Sequence, residues 1–120
     1  MLPVNTENKI IDHLAAMPVI LELVDDTQLR LIADLDPDTP WADRKHAAEQ
    51  LGNLGNPLAV PALIETLPAD PFWMVRTAII QALEKIGDQR AIPALHQVAE
   101  TDAFKVVRAH ATRAVERITE

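Results

Sequence analysis

The sequence contains no cysteine, no serine and no tyrosine in its 120 residues. Without cysteine there is no disulfide framework, no thiol nucleophile and no thiolate site for zinc or an iron–sulfur cluster. Without serine or cysteine, neither a Ser-His-Asp nor a Cys-His constellation can be assembled. Glycine is scarce as well. Its three copies fall in Gly52-Asn53-Leu54-Gly55 and at Gly87, contexts that read as helix ends rather than a phosphate-cradling loop. No run of about 18 apolar residues is present to span a bilayer. The N-terminal stretch Met1-Leu2-Pro3-Val4-Asn5-Thr6-Glu7 lacks a charged start followed by an apolar segment. No secretion signal is expected, and the expected location is cytoplasmic.

Positive charge is also in short supply. Eleven Lys and Arg face eighteen Asp and Glu, a net charge of −7. A nucleic-acid surface needs a basic footprint, so the balance points away from that partner class. The charge is uneven. Residues 1–70 hold 12 acids and 4 bases, a balance of −8, whereas residues 71–120 hold 6 acids and 7 bases, a balance of +1. The two ends of the molecule therefore offer different surfaces.

What the chain does contain is a repeat. It is 48% hydrophobic, enough for the core of one domain. Shifted by 32 residues, it falls on itself. Asp38, Asp70 and Asp102 align, as do Arg44, Arg76 and Arg108, and Trp41, Trp73 and Lys105. Phe72 aligns with Phe104, Gly55 with Gly87, and Ala59-Val60-Pro61-Ala62-Leu63 with Ala91-Ile92-Pro93-Ala94-Leu95. Shared composition alone would not place Pro, Gly, Asp and Arg in one frame.

Each unit carries two helical patterns. In Val75–Ile86 the apolar positions 75, 79, 82, 83 and 86 share one face. Gly87 stops that helix, Asp88 suits the next N-cap, and Pro93 sits near the following helix start. No segment alternates as a strand does, so essentially no β structure is expected. The spacing predicts a single domain over 1–120, with a capping helix at about 7–24, broken after Met17 by Pro18. Helix pairs follow at about 27–55, 57–87 and 89–120. One pair cannot cover its own apolar stripe, whereas stacked pairs bury it continuously.

The run Leu58-Ala59-Val60-Pro61-Ala62-Leu63, then Val75-Arg76, then Ala82-Leu83-Glu84-Lys85-Ile86-Gly87-Asp88 resembles HEAT repeats, most closely the short variant named for the phycobilisome lyases. The resemblance covers about residues 27–120. It implies an all-α, right-handed α-solenoid of about three HEAT-like helix pairs plus an N-terminal capping helix, with the second helices lining a concave face. In such repeats a turn Asp and an Arg six residues later form a ladder between neighbouring units. The spacing occurs here as Asp38/Arg44, Asp70/Arg76 and Asp102/Arg108. Most members of the family bind proteins; a few are enzymes or enzyme subunits.

The ladder arginines could instead form a row for phosphate or carboxylate ligands. The recurrence of an Asp with every Arg favours the structural role. Trp41 and Trp73 share a repeat position and would lie near each other on one surface, a pattern suited to a binding hot spot. Packing of each ring on its own turn, Trp41 on Pro40 and Trp73 on Pro71 and Phe72, is the competing reading. Lys105 completes the column and suits an exposed position, and Thr77, Ile80, Gln81 and Glu84 on the same helix as Trp73 would flank the site; an exposed Ile80 would strengthen that reading. His13, His46, His96 and His110 read as surface or ladder residues rather than metal ligands.

Deoxyhypusine hydroxylase, a HEAT-repeat di-iron enzyme, carries His-Glu ligand pairs. The corresponding stretches here are Arg44-Lys45-His46-Ala47 and Arg108-Ala109-His110-Ala111, so that activity is not expected. The leading expectation is a non-catalytic scaffold that binds another protein, without cofactor or metal. An auxiliary subunit of a phycobilin lyase-like or chromophore-handling complex is the alternative, and self-association through an edge helix is the third reading.

Overall fold

The computed structural model describes residues 26–120. The capping helix expected at about 7–24 lies outside them. Six α-helices follow in order: α1 (Asp26–Ala33), α2 (Trp41–Leu54), α3 (Val60–Thr66), α4 (Trp73–Ile86), α5 (Ile92–Thr101) and α6 (Lys105–Thr119). Short 3-10 turns, Pro57–Ala59 and Gln89–Ala91, lead into α3 and α5. No strand occurs among the described residues.

The repeated residues explain the repeated boundaries. Asn56 and Asp88 accept hydrogen bonds from the backbone N–H groups of Leu58 (3.0 Å) and Arg90 (2.9 Å), and so start the 3-10 turns. Pro61 and Pro93 then occupy the first turns of α3 and α5, where a missing N–H does no harm. At the other end, Gly55 (φ 69°) and Gly87 (φ 75°) adopt the left-handed conformation and close α2 and α4. Their N–H groups return to the carbonyls of Leu51 and Leu83.

The turns before α4 and α6 are built by aspartate. The Asp70 and Asp102 carboxylates accept from the N–H of the residue two ahead, Phe72 at 3.0 Å and Phe104 at 2.9 Å. The first repeat departs from this pattern. Residue 40 is proline and has no N–H to donate. The turn is held instead by Asp36, which accepts from the Asp38 N–H at 2.8 Å.

The second helices stack side by side: α2 packs on α4, and α4 on α6, with α1, α3 and α5 forming the other layer. The core runs continuously through the layers, with Leu51, Leu63, Leu67, Ile79, Ile80, Leu83 and Leu95 fully buried. Each such side chain contributes roughly 1.5–3 kcal/mol of apolar transfer, which is why neighbouring repeats stay together.

One expectation is corrected by the packing of α4. Ile80 is 1% exposed, so it belongs to the core and flanks no surface site. The central helix α4 has neighbours on three sides, and its buried face is therefore wider than an isolated amphipathic stripe. Gly52 lies in the last turn of α2, which Gly55 caps, so this glycine context does mark a helix end. A Cβ there would stand 2.8 Å from the Ala82 Cα, so glycine is what lets α2 and α4 approach closely.

Candidate protein-binding surface

The N-terminal ends of α2, α4 and α6 lie side by side at the turn edge of the stack, and there the frame residues meet. Their pairing crosses repeats. Arg44 donates to Asp70 through Nε (2.8 Å) and Nη2 (3.3 Å). Arg76 donates to Asp102 in the same fork, at 2.7 and 3.0 Å. The two arginines also hold backbone: Arg76 Nη1 reaches the Asp70 carbonyl at 2.9 Å, and Arg44 Nη1 reaches the carbonyls of Pro37 and Thr39. Each arginine thus clamps its own turn while gripping the carboxylate of the next. The Arg44–Asp70 side chains are only 5% and 4% exposed, and Arg76–Asp102 11% and 7%.

Within one unit no carboxylate pairs with the arginine six residues on. Asp38 is exposed, and no side chain among the described residues is seen to ion-pair with it. Arg108 clamps its own turn, donating from Nη1 to the Asp102 carbonyl at 2.6 Å, but has no carboxylate at ion-pair distance among the described residues. At Asp102, burial pushes the carboxyl up. Hydrogen bonds from the Arg76 side chain and the Phe104 N–H, with the charges of Arg76 and Arg108, outweigh it. They hold the group below the ordinary carboxylate range. Asp88 also lies low, because the Arg90 side chain and N–H both donate to it.

An aromatic ladder runs beside the ionic one. Trp41 stacks on Phe72, centroids 5.8 Å apart, and Trp73 on Phe104 at 6.1 Å. The guanidinium carbons of Arg44 and Arg76 lie 5.8 Å from the centroids of Phe72 and Phe104 respectively. Each Phe thus meets both a Trp and an Arg of the preceding repeat. These ring contacts reach the next turn rather than the Trp's own. The rings nevertheless remain exposed: Trp41 39%, Phe72 42%, Trp73 37% and Phe104 46%. They are all the aromatic side chains the chain possesses, and none of them serves the core.

The other residues expected around the tryptophans separate. Lys105 is exposed at the end of the Trp column, whereas Thr77 and Gln81 are half-buried on α4. The Thr77 hydroxyl donates to the Trp73 carbonyl at 2.9 Å. Glu84 faces α6, with its Oε1 3.4 Å from Arg113 Nε and 3.7 Å from Arg117 Nε. It is thereby committed to an inter-repeat contact. Sequence reasoning aligned Phe72 with Phe104 but did not place them in the site. It also missed the shallow hollow of about 430 Å³ between α2 and α4, lined by Trp41, Ala42, Lys45, His46, Glu49 and Met74. The signal for that hollow was the outer face of α2, whose polar residues Lys45, His46 and Glu49 escape a search for apolar stripes.

Among the described residues, no group of three His, Asp or Glu side chains is placed to hold a metal. None of the described helices is long and apolar enough to cross a membrane.

Stacked helix pairs joined by recurring ionic and aromatic contacts define an α-helical repeat protein. The chain belongs to the HEAT-repeat family: the family model for HEAT repeats matches residues 28–116. No curated protein matches it. HEAT-repeat proteins are generally protein-interaction scaffolds and typically non-catalytic.

Proposed function

We propose that this chain is a non-catalytic interaction module whose binding face is the aromatic ridge along the N-terminal ends of α2, α4 and α6. The observation that carries the reading is the exposure of every aromatic side chain on that one edge. Aromatic side chains bury large areas and would ordinarily serve the core of a small domain. Here their inter-repeat stacks hold them rigid, which lowers the entropy lost when a partner covers them. The hollow beside Trp41 gives a partner side chain a place to enter. The net charge of −7 favours a protein partner over a nucleic acid.

The test is capture of partners from the source cell by the wild type and by the Trp41→Ala/Trp73→Ala double variant. Helicity is followed by circular dichroism. Loss of at least one specific partner, with helicity kept, supports the ridge. Equal capture of the same partners by both proteins refutes it.

A further inference from the structure

The two ends of the ionic ladder are complementary, and we infer that they join: the last repeat of one copy receives the first turn of a second copy, Arg108 gripping Asp38. In the interior, every arginine fork finds the carboxylate 26 residues ahead, Arg44 with Asp70 and Arg76 with Asp102. Arg108 is held by its own turn carbonyl as Arg76 is. Its guanidinium is therefore oriented before any carboxylate arrives, the condition under which an Arg–carboxylate fork forms at least entropic cost. At the opposite end Asp38 occupies the frame position of Asp70 and Asp102, exposed. One frame before Arg44 the sequence has Asp12 instead of arginine, so the 32-residue frame supplies no arginine for Asp38, and among the described residues no side chain ion-pairs with it.

The neighbouring positions change in a matched way. Inside the stack each joint pairs a Trp with a Phe. At the ends the Trp position is Lys105 and the Phe position is Pro40. Neither end keeps its half of the aromatic joint. In its place exposed Lys105 would meet a turn that carries Asp34 and Asp36 beside Asp38, all exposed. A ligand turn built like the interior ones, with an aromatic two residues after its Asp, would find no tryptophan at this end. The chain's own acidic, aromatic-free first turn fits the lysine better. The larger charge asymmetry, −8 over residues 1–70 against +1 over 71–120, acts in the same direction. Such a contact is heterologous. It does not close on itself, so copies add head to tail instead of stopping at a dimer.

Sedimentation of the full chain at low salt, from about 10 μM to about 1 mM, tests this. The average mass should rise with concentration, pass the dimer without a plateau, and fall back when salt is added. Asp38→Arg and Arg108→Glu should each weaken association by about tenfold or more, with helicity unchanged. Their equimolar mixture should recover it, because each variant's altered end then faces an opposite charge. Lys105→Glu, which touches no interior ladder pair, should also weaken association. A wild type that stays monomeric throughout overturns the inference. So does association that Asp38→Arg leaves intact, or a mixture that fails to recover it.

Discussion

Asp70 offers the sharpest test of what joins the repeats. Asp70→Ala deletes the carboxylate that takes Arg44 Nε at 2.8 Å and Nη2 at 3.3 Å, and it deletes the acceptor for the Phe72 N–H. The Arg44 side chain, 5% exposed, is left charged with the carbonyls of Pro37 and Thr39 as its remaining hydrogen-bond acceptors. Removing one partner of a buried pair destabilises by about 3–5 kcal/mol. Losing the turn cap adds about 1 kcal/mol. The surviving carbonyl contacts keep the total near the lower bound, about 3 kcal/mol, a large share of the roughly 5–15 kcal/mol of a small domain. The loss falls on one inter-repeat joint, so the first repeat should loosen before the rest. Urea unfolding followed by circular dichroism gives the total. Trp41 fluorescence in a Trp73→Phe background reports the first joint. The paired replacement Arg44→Met/Asp70→Leu, which removes both charges together, should recover most of the loss. An Asp70→Ala midpoint within about 0.5 kcal/mol of wild type would refute the argument, as would a double variant whose cost equals the sum of the singles.

Three further outcomes follow from the same geometry. Arg108→Ala should destabilise the monomer by less than about 1 kcal/mol, because it loses a carbonyl contact but no carboxylate, whereas Arg44→Ala should lose several times that; comparing urea midpoints decides the order. Gly52→Ala should lower stability by about 1–3 kcal/mol despite alanine's helix preference, since its Cβ would meet the Ala82 Cα at 2.8 Å; a thermal midpoint at or above wild type would contradict that close approach. The Asp102 carboxyl lies below its ordinary value in the folded protein, so its contribution is present above the unfolded pKa of about 3.9 and is lost as pH falls through the folded value. The stability gap between wild type and Asp102→Asn should accordingly narrow below about pH 4, as measured by urea titration across that range.

Much of the architecture was legible in the chain because repeats write the same instruction several times. Pro61 and Pro93, Gly55 and Gly87, and Asn56 and Asp88 each act through their own backbone geometry, within a few residues. Local chemistry of that kind survives in a sequence. Gly52 shows where it stops: with Gly55 it marks the end of α2, but only the approach of α4 reveals its packing role.

The candidate surface divides along the same line. By itself the sequence determined the frame, the all-helical class and the absence of the side chains that nucleophilic catalysis by serine or cysteine requires. Its spacing also placed Asp, Arg, Trp and Phe in columns. Which members of the columns touch was decided only when the helices stacked. Arg44 reaches past its own turn to Asp70, Trp41 to Phe72, and Glu84 turns toward Arg113 and Arg117. Ile80 fits an exposed flank on a helical wheel, yet its position in the central helix, covered on several sides, puts it in the core. The physical reason is that a one-dimensional period fixes the angle of a side chain around its own helix. Burial and pairing depend on how many neighbours that helix acquires, and only the interior of the stack has them on both sides.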